Sequence, residues 1–212
     1  IKAYRPENNS MCSGQVLQEP YAYDKALVVV QEMADRMALD LVEKRLVTDQ
    51  LVLTIGYDRS NIDQGISGYT GAVTTDRYGR RVPKSGHGSR NLGKSTSSSR
   101  LITEGAASLF ANITDSGLLI RRISLTANHV LPENLTEKRE PEPVQMDLFT
   151  DYAELERKEQ AEKELLDKER RQQEAVLKIQ GKFGKNAIMK GLSYREGATM
   201  KDRNGQIGGH RA

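Results

Sequence analysis

The sequence predicts an α+β domain in the order βαββαβ, with two helices on one face of a four-stranded sheet, followed by a linker and a helical or disordered tail. Three observations predict it. Two segments, 24–44 and 98–112, repeat apolar residues at the helical period, and extended candidates at 13–18, 50–57, 88–96 and 118–130 flank them. A polar stretch carrying Pro141 and Pro143 then separates this region from one dense in both signs of charge.

Each element has its own warrant. Residues 13–18 read as a short strand. In 24–44, Val30, Met33, Ala34, Met37, Ala38 and Leu41 fall on one side of an amphipathic helix. Residues 50–57 alternate, with Leu51, Leu53 and Ile55 on one side and Val52 and Thr54 on the other, as a half-buried strand does. The stretch 58–86 is rich in Gly, Ser and Arg and reads as a long loop or irregular hairpin. Residues 88–96 are extended and lead into 98–112, where Leu101, Ile102, Ala106, Leu109, Phe110 and Ile113 share a face. Residues 118–130 close the domain as a strand, with Ile123, Leu125 and Ala127 opposing Arg122, Ser124 and Thr126. Packing both helices on one side buries both apolar stripes and leaves the other sheet face free.

Composition sets the bounds. The 212 residues are 37% hydrophobic and 29% charged with no Trp, room for one good domain plus extensions. No apolar run approaches a membrane span, and the first residues lack a basic-then-apolar signal, so a cytoplasmic location is expected. The single Cys12 cannot form an internal disulfide. His87, His129 and His210 lie far apart without ligand spacing, so no metal site and no cofactor are expected. The net charge of +3 decides little, but its distribution does. Between 77 and 100 stand Arg77, Arg80, Arg81, Lys84, Arg90, Lys94 and Arg100, with no Asp or Glu.

The free sheet face is the first candidate site. Arg122, Ser124 and Thr126 oppose the apolar side of the last strand, and the strand before it offers Ser89, Arg90, Asn91, Gly93, Lys94 and Ser95. Small polar side chains let a nucleic-acid backbone approach main-chain N–H groups, and Arg and Lys displace counterions from phosphates. An ordinary solvated face is the plainer alternative. These strands carry no aromatic ladder for stacking single-stranded bases, which favours duplex DNA.

A second pattern points to another class of function. Gly88-Ser89-Arg90-Asn91-Leu92-Gly93-Lys94-Ser95 satisfies G-x-x-x-x-G-K-[ST], the phosphate-cradling loop of nucleotide-binding enzymes. That loop requires a buried parallel strand before it, and residues 80–87 are basic, contain Pro83 and have no apolar run. No later apolar strand ends in an Asp that would hold magnesium. A strand grazing DNA explains the same residues more economically.

The third candidate lies in the linker at 132–150. Pro141 and Pro143 hold the approach extended, and Gln145-Met146-Asp147-Leu148-Phe149 places an apolar pair on a tether. Such a segment fits a peptide docking in a partner's groove. It resembles the Q-x-x-L-F motif by which bacterial polymerases and repair proteins hold the sliding clamp, with Gln145, Leu148 and Phe149 as the contacts. A clamp-binding adaptor is therefore a third possible class.

Together, Asn9-Ser10-Met11-Cys12-Ser13-Gly14-Gln15-Val16-Leu17, the helix at Asp24, the strand ending at Asp58, Gly88-Ser89-Arg90-Asn91-Leu92-Gly93 and Arg121-Arg122-Ile123-Ser124-Leu125 resemble the little finger domain of Y-family translesion DNA polymerases, most of all the UmuC-type branch. The resemblance implies a linker from a missing thumb at 1–13, a little finger at 14–131 that grips primer-template duplex, a clamp-binding linker at 132–150 and a tail at 151–212. It further implies error-prone lesion bypass in DNA repair and the SOS response, with nucleoid association. The palm acids that bind two magnesium ions in such a polymerase are absent; Asp58 and Asp63 sit in a loop without a partner acid. Polymerase chemistry is therefore not expected of this chain alone, whether it is a fragment or separately encoded. In the tail, residues 154–179 read as a solvated helix with a thin apolar stripe, and 181–212 as a basic, Gly-rich end resembling that of the UmuC-type branch.

Overall fold

The structure, a computed structural model, describes residues 9–63, 69–136, 152–207 and 210–211. Strand β1 (Met11–Tyr21) turns into helix α1 (Tyr23–Glu43), and β2 (Leu46–Tyr57) follows. A short helix α2 (Ser60–Asp63) and a hairpin of β3 (Val73–Thr75) and β4 (Arg81–Pro83) precede β5 (Gly86–Thr96), α3 (Ser99–Ile113) and β6 (Ile120–Asn128). The four long strands stand in the order β1-β6-β2-β5, antiparallel throughout, and β7 (Leu131–Pro132) adds a short pairing with β2. The expected α+β order βαββαβ is the one found, with the hairpin inserted between its second and third strands.

Alternation decides which face is buried. Leu51, Leu53 and Ile55 of β2 stand opposite Ala127, Leu125 and Ile123 of β6, and all six are fully buried. Val29, Val30, Met33, Met37 and Leu41 of α1 and Ile102, Ala106 and Phe110 of α3 close over them. Each large side chain removed from water contributes about 1.5–3 kcal/mol, so this seam holds the two helices on one face. Gly88 and Gly105 permit the close approach of α3 to the sheet. A Cβ on Gly88 would lie 2.8 Å from Ile113 Cγ2, and one on Gly105 2.7 Å from Leu92 Cδ2.

The loop expected at 58–86 contains more structure than its composition implies. Asp76 organises the hairpin turn by accepting hydrogen bonds from the backbone N–H of Tyr78 at 2.8 Å and of Arg80 at 3.0 Å, and from Arg80 Nε at 2.8 Å. Gly79 takes φ of 77°, the left-handed value the turn requires. Buried Pro83 anchors the hairpin at its base.

The tail also departs from expectation. A short helix α4 (Glu133–Thr136) occupies the start of the segment 132–150, expected to be an extended linker, and α5 (Tyr152–Phe183) is one long helix. Its exposed first half matches the solvated reading, but its second half docks. Gln173 is buried and donates to Ser97 O at 2.9 Å and Ser99 Oγ at 3.1 Å, while Arg170 reaches Ser97 Oγ and Glu133. Beyond it, a 3-10 turn (Gly191–Tyr194), helix α6 (Met200–Arg203) and a minimal hairpin of β8 (Gln206–Ile207) and β9 (His210–Arg211) complete the described chain. Residues 188–204 lie along the outer side of α1. Glu32, only 2% exposed, accepts from the backbone N–H of Thr199 at 2.7 Å and Met200 at 3.1 Å; Lys190 pairs with Asp35 at 2.6 Å and Glu196 with Lys25 at 2.8 Å. Sequence reasoning missed this because the recognition is polar and specific, and periodicity carries no trace of it. A cavity of about 490 Å³, lined by residues including Leu39, Val176, Ile179 and Met189, remains between α1 and the tail.

Candidate nucleic-acid interface

The sheet face turned away from α1 and α3 is built from four strands in register. One row across it runs Cys12, Thr126, Val52 and Ser89; the next runs Gly14, Ser124, Thr54 and His87; a third joins Val16, Arg122 and Gly56. Hydrogen bonds cross the rows and fix the side chains. Asn128 donates to Gln50, which donates to Asn91 at 2.9 Å, and Thr54 Oγ1 lies 2.8 Å from His87 Nδ1. No Asp or Glu stands in these rows, and the side chains are exposed or half-buried. A polyanion can therefore approach this face without meeting a buried negative charge.

The positive charge gathers at one end. Arg122 lies near enough to the hairpin tip for its charge to reach Tyr78, over whose ring Arg77 and Arg80 sit at 4.8 Å and 5.0 Å. The Tyr78 hydroxyl is held below the ordinary tyrosine range, first by its hydrogen bond from Arg77 and then by the Arg77, Arg122 and Arg80 charges. Asp76 is the acid beside them, and the Arg80 guanidinium bonded to it holds its carboxyl at about 2.

The structure divides the residues predicted from sequence. It brings Ser89, Asn91, Arg122, Ser124 and Thr126 together on the open face. Arg90 is not with them: it stands opposite buried Leu51, on the helix side of β5, and its Nη1 donates to Ser108 Oγ of α3 at 2.9 Å. The period of two separates Arg90 from Ser89 and Asn91, and reading the whole strand as one surface overlooks it. Gly93 and Ser95 lie in a bulge, where the pairing of β5 with β2 jumps between Asn91 and Thr96 and Gly93 adopts φ of 79°. Lys94 leaves this bulge to meet Glu162 of α5 at 2.8 Å. The clamp-motif residues Gln145, Leu148 and Phe149, and the linker residues 1–8, lie outside the described residues.

The phosphate-loop reading of 88–95 is corrected by the same geometry. These residues are one strand of an antiparallel pair, not a loop delivered by a parallel one. Gly88 is required by the packing of α3 and Gly93 by the bulge. Helix α3 starts beyond the string, with Ser98 as its N-cap accepting from Leu101 N–H. Its N-terminus already faces a carboxylate, because Glu169 Oε1 accepts from Arg100 N–H at 2.8 Å. Among the described residues no group of His, Cys, Asp and Glu converges as a metal site would, and no helix is long and apolar enough to cross a membrane.

Sequence reasoning missed Tyr78 and Gln50, and it counted Arg77 only as part of the basic run without placing it beside Tyr78. A signal for Tyr78 and Arg77 is present: Asp76-Arg77-Tyr78-Gly79 between short alternating segments is a hairpin-turn pattern. Comparison with known proteins adds one result. The model of the impB/mucB/samB family C-terminal domain matches residues 8–148, more than half of the chain. No curated protein matches it closely enough to count as a relative.

Proposed function

The chain belongs to the impB/mucB/samB family, as the C-terminal domain of a UmuC-type Y-family polymerase, and from that premise we propose that it grips primer-template duplex through the open sheet face and tethers to the sliding clamp. The family places the chain in a DNA-damage-related role. One observation carries the finer reading: four strands align small polar side chains in an acid-free face that ends at Arg122 and the cationic hairpin. Ser89, Ser124 and Thr126 present hydroxyls at the height of the sheet, so a phosphate backbone lies close to them without steric cost. Arg77 and Arg122 supply the charge, with Arg81 exposed on the hairpin strand β4. Such contacts position DNA and carry little sequence information.

Tethering rests on Gln145, Leu148 and Phe149, whose apolar pair follows a proline-marked stretch. In this reading the chain acts in error-prone lesion bypass within the SOS response. It holds DNA and clamp, while magnesium-dependent nucleotidyl transfer belongs to palm residues of a longer polymerase.

A salt titration of duplex binding, followed by fluorescence anisotropy, tests the DNA reading. Neutralising about three phosphates gives a slope of log K against log salt of roughly −3, with little preference between sequences. A flat salt dependence would remove phosphate contact as the basis of binding.

A further inference from the structure

The hairpin tip presents a feature that duplex gripping does not use. Tyr78 is 61% exposed at the end of the open face, and, unlike the comparably exposed rings of Phe183 and Tyr194, it belongs to the turn of the cationic hairpin. Its backbone is not free to withdraw. Asp76 bonds the N–H groups of Tyr78 and Arg80, the N–H of Asp76 returns to Arg80 O at 2.9 Å, and Gly79 closes the turn. The ring is thus held out rigidly, which lowers the entropy lost on binding.

Its neighbours define what it can receive. Arg80 is committed to Asp76 by a salt bridge of 2.6 Å. Arg77, among the described residues, bonds only to Tyr78, so it can leave the ring for a phosphate without breaking a salt bridge. An aromatic ring with a releasable guanidinium beside it suits a nucleotide, the ring for the base and the arginine for the phosphate. Paired bases inside a duplex offer no free face to such a ring. Unpaired bases do.

We propose that Tyr78, with Arg77 beside it, is a stacking site for an unpaired base of single-stranded DNA next to the duplex held on the sheet face. This rests on the duplex reading and adds a second substrate element to it: the protein distinguishes a primer-template junction from continuous duplex. Arg122 links the two, because it lies at the end of the open face and its charge acts on the Tyr78 hydroxyl.

The test uses the full chain and two DNAs of equal duplex length, one blunt and one with a single-stranded template overhang carrying 2-aminopurine. The wild-type protein binds the overhang DNA more tightly and changes the 2-aminopurine fluorescence. Tyr78→Ala weakens overhang binding about 5- to 150-fold, the range for loss of one base stack, and shifts blunt-duplex affinity less than about 2-fold. Tyr78→Phe keeps the ring and retains overhang binding, which separates stacking from any role of the hydroxyl in the turn. An equal loss on both DNAs, or no loss on either, overturns the stacking site while leaving duplex gripping intact. Wild-type protein that binds neither DNA overturns the duplex reading itself, and this inference with it.

Discussion

Glu169 of the long tail helix accepts a hydrogen bond from the Ser98 hydroxyl at 2.6 Å, at the N-terminus of α3. The same carboxylate takes the Arg100 N–H, so the chain fills with its own acid the position where the G-x-x-x-x-G-K-S string would place a nucleotide phosphate. A side chain from outside the family-matched segment 8–148 therefore completes a helix cap inside it.

Two outcomes are expected from this arrangement. Ser98→Ala removes an N-cap and a partner of Glu169, and lowers stability by about 0.5–2 kcal/mol, read as a fall in Tm. Calorimetry with magnesium and ATP gives no binding heat in the wild type. A magnesium-dependent micromolar affinity that disappears in Lys94→Ala would restore the phosphate-loop assignment.

What is legible in the sequence follows from what side-chain period can encode. The burial of Leu51, Leu53, Ile55, Ile123, Leu125 and Ala127 against α1 and α3 is written in periods of 2 and 3.6, and it determines which face stays open. Arg122, Ser124 and Thr126 follow from that rule. Arg90 is misplaced unless the rule is also applied to its own strand, where it alternates with Ser89 and Asn91. The bulge that frees Lys94 for Glu162 depends on a single left-handed glycine, Gly93, and no period reports it. The docking of residues 188–204 depends on Glu32 capping two backbone N–H groups, a polar interaction with the opposite end of the sequence. Tyr78 has a readable turn around it, but its position beside Arg122 requires the fold.

The division of the basic residues is open to direct measurement. Arg77→Ala, Arg81→Ala and Arg122→Ala combined should flatten the salt slope of duplex binding by roughly 0.9 for each phosphate that is no longer neutralised. Arg90→Ala with Lys94→Ala should leave the slope nearly unchanged, since one is bonded to Ser108 and the other to Glu162. If the second pair flattens it as much as the first set, the DNA lies along the β5 edge and not on the open face.

The hairpin should resist acid. Hydrogen bonding to Arg80 depresses the Asp76 carboxyl to about 2 from 3.8. A depressed carboxylate contributes stability that is present above its unfolded pKa and is lost as pH falls through the folded one. The turn therefore keeps its bonding down to about pH 4 and loses it between about pH 4 and about pH 2. An NMR titration of the Asp76 carboxyl checks this, and a midpoint near the ordinary aspartate value would mean that Arg80 does not hold it in solution.

Glu32 is expected to hold the tail against α1. Its Oε2 bonds Thr199 and Met200 N–H, and its Oε1 is buried without a hydrogen-bond partner. Hydrogen bonds to a charged group contribute about 1.5–3 kcal/mol each, and a buried unsatisfied oxygen offsets part of that. Glu32→Leu should release residues 188–204 while the core under α1 stays folded. Hydrogen exchange reads this as faster exchange at Thr199 and Met200 with β2 and β6 protected, and uniform loss of protection would instead make Glu32 a core residue of the whole domain.

The clamp motif supplies the remaining prediction, and it separates two activities in one chain. If Gln145, Leu148 and Phe149 form the tethering peptide, the apolar pair anchors it, since side chains filling a pocket contribute about 1.5–3 kcal/mol each. Gln145→Ala should cost less, because one net hydrogen bond is worth about 0.5–1.5 kcal/mol. Leu148→Ala combined with Phe149→Ala should then abolish clamp binding. Duplex affinity should not change, because the core under the sheet is closed by α1 and α3 and, among the described residues, its buried side chains all come from 11–130. Titrating the double variant against clamp and against DNA decides the matter. Clamp binding that survives would dismiss the motif as a tether, and a parallel loss of DNA binding would tie the linker to the DNA-gripping domain.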